Sequence, residues 1–210
     1  VYVNNDAFKK NDYFQNKCGA LVYAPTHTST GDGNECANVL RTIDFGENSQ
    51  IKTIPLCYMG KASQLRELKN IPAKLDSIEK CAFTYCSKLS GVLYLNATTI
   101  KEKAFENAIV RVDGIILGPD TVNIETEAFG TREVNEGSKS TKFIEFQCDV
   151  TKMNIVASAE NLGAFYFEKG TQRNPYSALT CLILSHPSNQ AMITEGETTF
   201  QSFLPNVYFR

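Results

Sequence analysis

A solenoid, wound in coils of a little over twenty residues with a parallel β-sheet along one side, is the architecture this sequence predicts. Two observations carry that expectation. Ile78 is followed by Ala82-Phe83, Ile100 by Ala104-Phe105 and Ile124 by Ala128-Phe129, so the Ala-Phe pairs lie 22 and then 24 residues apart. Upstream of each runs a second apolar pattern, Leu-x2-Ile-x-Ile in outline, seen as Leu40-x2-Ile43-x-Phe45 and Val112-x2-Ile115-x-Leu117. Its anchors Ile43, Leu68, Val92 and Ile115 are 25, 24 and 23 residues apart. A period of that size marks a supersecondary unit that cannot bury its apolar face alone and must stack on its own copies.

Taken in order, the elements divide the chain into three stretches. Residues 1–39 are irregular: Ala7-Phe8, Tyr13-Phe14 and the apolar run Ala20–Tyr23 precede a polar loop over 25–36 with Gly and Pro punctuation. Val1–Phe8 reads like the end of a repeat, so the chain looks cut from a longer precursor and the lack of a signal peptide does not define its compartment. Residues 40–129 are the regular part. Each coil there is expected to supply a short strand with one buried face, followed by the isoleucine and a tight turn. The alanine permits close approach of the next coil while the phenylalanine ring fills the interior. Residues 130–210 are degenerate copies. A polar loop over 130–142 explains the 29-residue step to Ile144, whereas the next step, 38 residues to Leu182, is too long for one coil and short for two. Phe143–Phe146, Ala164–Phe167 and Leu182–Leu184 are strand candidates, Glu195–Phe203 a worn Ala-Phe turn and Val207–Arg210 a last strand.

The run Ile71-Pro-x2-Leu75-x2-Ile78-x3-Ala82-Phe83-x2-Cys86-x2-Leu89 resembles the BspA-like leucine-rich repeat, the Treponema pallidum type of bacterial and protozoan surface proteins. The match is close over about 65–129 and recognisable from 40; the cysteine after the phenylalanine is present only at Cys86, with Ala108 and Arg132 at the corresponding places. The resemblance implies one leucine-rich-repeat solenoid over residues 1–210, mainly-β or α/β, with a parallel sheet on one face and turns or short helices on the other. It further implies a cell-surface or secreted, non-enzymatic module that binds a protein or glycan partner. The alternative is a structural spacer that displays another domain and has no ligand of its own.

Composition narrows the function classes. The net charge is −2, from 21 basic and 23 acidic residues, which gives no electrostatic footprint for nucleic acid. No run approaches the roughly 20 apolar residues of a membrane helix. There is no nucleophile elbow, P-loop or dinucleotide fingerprint, so no catalytic or cofactor-binding residue is singled out. Two histidines and no Cys-x2-Cys pair leave a zinc site little to draw on, and Gly31–Glu35 lacks the ligand spacing of a calcium loop. Asn96-Ala97-Thr98 has the form of a glycosylation sequon, but its place beside a strand favours chance. Seven cysteines are an odd number for a disulfide framework. Cys57 and Cys81 each follow a repeat isoleucine by three residues and so should neighbour one another on adjacent coils, as separate thiols or as a bridge. Cys86 reads as a small buried filler.

Alternation along the strands also predicts an outward face. It runs Thr42 and Asp44, Glu67 and Lys69, Gly91 and Leu93, Gly114 and Ile116, Phe143 and Glu145, Tyr166, then Cys181 and Ile183. The first half is polar and the second apolar. Leu93, Ile116, Phe143, Glu145, Tyr166 and Ile183 are therefore the expected partner-binding residues, unless a one-residue register shift exchanges the faces or a loop covers them.

Overall fold

Apolar side chains at alternate positions bury one face of a strand, and a near-constant repeat length lays such strands side by side. The computed structural model of the protein describes residues 14–17, 20–23, 40–131, 141–151, 153, 164–165, 181–190 and 207–209. The loop at 25–36, Tyr166 and the stretch Glu195–Phe203 lie outside the described residues. The N-terminal strands β1 (Phe14–Lys17) and β2 (Ala20–Tyr23) form an antiparallel hairpin. Beyond it the pairings among described residues are parallel. Strands β3 (Thr42–Asp44) and β5 (Glu67–Lys69) pair with each other. A five-stranded sheet follows in the order β13 (Val207–Phe209), β12 (Cys181–Leu184), β11 (Phe143–Phe146), β9 (Val112–Leu117), β7 (Gly91–Leu95). Its inner rungs, Leu93–Ile115–Ile144–Leu182 and Leu95–Leu117–Phe146–Leu184, are in register and wholly buried.

Opposite this sheet the sequence reading places turns or short helical pieces; the structure places a second parallel sheet. It consists of β4 (Thr53–Ile54), β6 (Leu75–Ile78), β8 (Ala97–Ile100) and β10 (Asn123–Ile124). The repeat isoleucines are one rung of it: Ile54 pairs with Ile78, Ile78 with Ile100, and Ile100 with Ile124. Strands of two to four residues are too short for alternation to show in the sequence, which is why only the isoleucine stood out. Helical structure among the described residues is limited to two 3-10 turns, Ile109–Arg111 and Pro187–Gln190.

The Ala-Phe turns close the third side of each coil. Their backbones bond from coil to coil, with the N–H of Met59, Phe83, Phe105 and Phe129 donating to the carbonyls of Ala82, Ala104, Ala128 and Ala164 at 2.7–2.8 Å. That ladder leaves no room for a side chain larger than alanine's, and all four alanines are fully buried. The rings stack along the axis at 5.2 Å (Phe83–Phe105), 5.4 Å (Phe105–Phe129) and 4.9 Å (Phe129–Phe165), and Tyr58 meets Phe83 edge-on at 6.1 Å. These offset-stacked contacts add to plain area burial.

Two register expectations are corrected here. Ala164-Phe165 is not a strand but the Ala-Phe turn of the coil after Phe129, lacking only its isoleucine. The 38-residue step to Leu182 is consequently one coil with an insertion, because β11 and β12 are direct neighbours. In β7 the buried anchor is Leu93 and not Val92. Gly91 pairs with Val112 but Val92 with Gly114, a bulge at which Gly91 has φ +79°.

The turns also demand left-handed backbone. Cys57, Cys81, Lys103 and Glu127, each three residues after its isoleucine, have φ of 50°, 57°, 58° and 57°. Such geometry costs an L-residue about 1–2 kcal/mol, most for β-branched side chains. Lys103→Val should therefore unfold more easily than Lys103→Gly by about 1–2 kcal/mol in urea titrations. At Lys101, outside the left-handed region, valine should not be the worse of the two.

Candidate functional site

The outward surface of the solenoid changes character along its length. Over β3 and β5 it is polar and self-paired: Thr42 Oγ1 donates to Glu67 at 3.5 Å, Lys69 lies 3.5 Å from Glu67, and Asn70 Nδ2 donates to Asp44 at 2.8 Å. The Gly46 N–H bonded to Asp44, together with Asn70, holds that carboxyl below its ordinary range.

Over the five-stranded sheet the outward rungs are Val92–Gly114–Phe143–Cys181 and Tyr94–Ile116–Glu145–Ile183, the second continuing in register to Tyr208. Val92 is 52% and Tyr94 40% exposed, unusual for large apolar side chains on a strand. Ile116, Phe143 and Ile183 are half-buried beside them. The Phe143 ring lies flat across Gly114: a Cβ there would come within 2.3 Å of ring carbons. The glycine thus makes a seat for an aromatic ring on the sheet surface. Glu145 is on this face by register, yet only 9% exposed; its carboxylate accepts from Ser185 Oγ at 2.9 Å and Gln147 Nε2 at 3.2 Å.

Of the residues expected there, Ile116, Phe143, Glu145 and Ile183 share the outward face, but Leu93 does not. Leu93 is 2% exposed and points into the core, because it pairs with Ile115: Gly91 faces Val112 and Val92 faces Gly114, which leaves Asp113 of β9 as the extra residue of the bulge. Val92 and Tyr94 take its place. The sequence signal for them is the alternation Val92-Leu93-Tyr94-Leu95, readable only once Leu93 is aligned with Ile115.

The second sheet offers a contrasting flank. Its outward residues include the rung Thr53–Ser77–Thr99–Asn123, and beside it charges cross-link the coils: Lys101–Glu79 at 2.9 Å, Lys80–Glu102 at 2.7 Å, Lys103–Glu127 at 3.3 Å. Burial pushes the Glu79 carboxyl up, but Lys101 and the Ser77 hydroxyl outweigh it and leave it below its ordinary 4.5. A carboxyl whose folded-state pKa is depressed stabilises fully above the unfolded value, and that contribution is lost as pH falls through the folded one. Lys101→Met should hence flatten the decline of stability below pH 4.5, measured by urea unfolding at stepped pH. Alongside β10 lies a groove of about 490 Å³ lined by Glu102, Val122, Asn123, Ile124, Glu125, Thr126 and Met153. Its two acids are engaged, Glu102 with Lys80 and Lys103, and Glu125 as acceptor from the Glu102 N–H.

The remaining chemistry-bearing residues have structural partners. Asn96 is buried, and its amide nitrogen, the atom a glycan would be attached to, donates to the Ala73 carbonyl at 2.9 Å and to Asp120 at 3.0 Å. Cys86 is fully buried, its thiol donating to the Met59 carbonyl at 3.1 Å, and burial pushes it up to about 12. His186 accepts from the Ser188 N–H at 3.2 Å. No group of three metal-ligating side chains occurs among the described residues, and no helix among them is long and apolar enough to cross a membrane.

The coil-to-coil equivalence of Ile, Ala and Phe decides the family, and the family comparison agrees: residues 34–136 match the BspA type Leucine rich repeat region in six copies. The chain is a BspA-type leucine-rich-repeat protein. No curated protein and no solved structure matches it. BspA-type repeat proteins are typically non-enzymatic and surface-associated, and leucine-rich repeats generally mediate protein interactions.

Proposed function

We propose that this BspA-type chain is a non-enzymatic binding module of a cell-surface or secreted protein, one solenoid over residues 1–210, that takes a protein or glycan partner on the outward face of its five-stranded sheet. The exposed pair Val92 and Tyr94 beside Ile116, Phe143 and Ile183 carries this reading. Contiguous apolar surface on a strand face is costly to leave in water, and aromatic side chains are the usual anchors of an interface. Both partner classes fit such a face: a protein through apolar complementarity, a glycan by stacking of sugar rings on Tyr94 or Phe143. Tyr166, expected on the same face from a strand over Ala164–Phe167, lies outside the described residues, and the turn at Ala164-Phe165 removes the strand on which that expectation rested.

A spacer is the second reading, favoured by the self-paired charges of β3, β5 and the opposite flank. The experiment is to immobilise the chain and titrate it against panels of cell-surface proteins and of glycans. The binding reading predicts saturable association with at least one probe, abolished by alterations to the sheet face. Saturable binding to none, or binding unaffected by that face, supports the spacer.

A further inference from the structure

We propose that Cys57 and Cys81 are a redox pair whose disulfide staples the strand β4 at the end of the second sheet to the coil that follows it. The repeat builds the pair. Ile54 and Ile78 are paired in register, and each cysteine sits three residues on, in the same left-handed turn. The Cys57 N–H donates to the Lys80 carbonyl at 3.0 Å and the Met59 N–H to the Ala82 carbonyl at 2.7 Å, so the backbone on either side of Cys57 is pinned to that of Cys81. Adjacent coils lie about 4.8 Å apart, within the Cα separation a disulfide spans.

The side chains at this position face one another. Both cysteines are free thiols, and each lies close enough to shift the ionisation of the other. One repeat further on the same position holds Lys103 and Glu127, which form an ion pair at 3.3 Å. The position thus links coil to coil electrostatically in one part of the solenoid and offers two thiols in another. Both cysteines are half-buried and open to a small thiol reagent, unlike Cys86 and Cys148, which are fully buried.

The site matters because of where it lies. Among the described residues the sheet order is β10-β8-β6-β4, in which β4 is an end strand of two residues held by β6. Terminal coils of a repeat array have one neighbour and open first. A covalent link across that boundary removes the opening that separates β4 from β6.

The chemistry balances with a disulfide oxidant such as oxidised glutathione. A thiolate of the pair attacks one of its sulfurs, forming a mixed disulfide and releasing one glutathione. The second cysteine, deprotonated by solvent, attacks the protein sulfur of that mixed disulfide and releases the other. Two protein thiols lose two electrons, which reduce one glutathione disulfide to two thiols. Burial pushes both thiols up, Cys81 to about 11, with the neighbouring Cys57 adding to it and Lys80 opposing, so attack is slow at neutral pH although geometry favours the product.

The native protein, equilibrated with glutathione buffers of rising oxidised fraction, quenched by alkylation and mapped without reduction, tests this. The expected result is a cross-linked peptide joining Thr53–Lys61 to Cys81–Lys88, assigned by fragmentation to Cys81 and not Cys86, with the loss of two alkylatable thiols. Hydrogen exchange at Thr53–Met59 should slow in the oxidised protein while that at Lys101–Asn107 stays unchanged. In the Cys57→Ser protein, Cys81 should remain a thiol or carry glutathione alone. Two thiols still alkylated in excess oxidant, glutathione adducts without the link, or a link from either residue to another cysteine would overturn the proposal. Failure of the sheet face to bind a partner would leave it standing, since the two sites share no residue.

Discussion

Phe105→Ala will lower the unfolding free energy by about 3–5 kcal/mol, the largest loss expected from any single truncation in the regular repeats. The ring is fully buried and is the middle member of the stack, 5.2 Å from Phe83 and 5.4 Å from Phe129. Its removal forfeits transfer free energy and two ring contacts at once. The cavity cannot collapse, because the backbone ladder through Phe83, Phe105 and Phe129 fixes the coil spacing on either side. Urea unfolding followed by circular dichroism measures the loss. A change under about 1 kcal/mol, the size expected for surface positions, would mean that the aromatic stack does not hold the coils together.

Tyr94→Ala combined with Ile116→Ser will weaken partner binding by at least about tenfold, since truncated aromatic anchors commonly cost 2 kcal/mol or more and each 1.4 kcal/mol is a decade. The two residues are neighbours on the outward rung, and Tyr94 is 40% exposed, so the double variant should remain folded with only a small loss of stability. The control is Asp76→Asn with Thr99→Ala on the second sheet, away from the face, where affinity should be unchanged. Equal loss in both variants would remove the site from the five-stranded sheet.

How much of this was readable in the sequence depended on whether a residue's environment repeats. The isoleucine, alanine and phenylalanine positions repeat because each is buried between two equivalent coils, and their period gave the solenoid and the polar-to-apolar change along the outward face. The second sheet was hidden, since β4 and β10 contribute two residues each. Leu93 falls on the inner face, and not on the outer one its spacing suggests, because the bulge that leaves Asp113 unpaired opposite Gly91-Val92 aligns it with Ile115 without altering the apolar content of either strand. Ala164-Phe165 reads as a strand from sequence because its isoleucine is missing and aromatic runs suit strands equally well. The seat of Phe143 on Gly114 and the bond from Ser185 to Glu145 could not be read at all; these contacts join residues 29 and 40 positions apart, in neighbouring coils.

The central claim, that the outward face of the five-stranded sheet is where the chain meets its partner, is tested most directly by site-specific photocrosslinking. A photoreactive residue is introduced in place of Tyr94 in one protein and in place of Asp76 on the opposite flank in another, and each is irradiated with cell-surface proteins and glycans. The account predicts saturable crosslinks from position 94, competed away by unlabelled native chain, and none above background from position 76. Equal labelling from the two positions, or none from either, would contradict it.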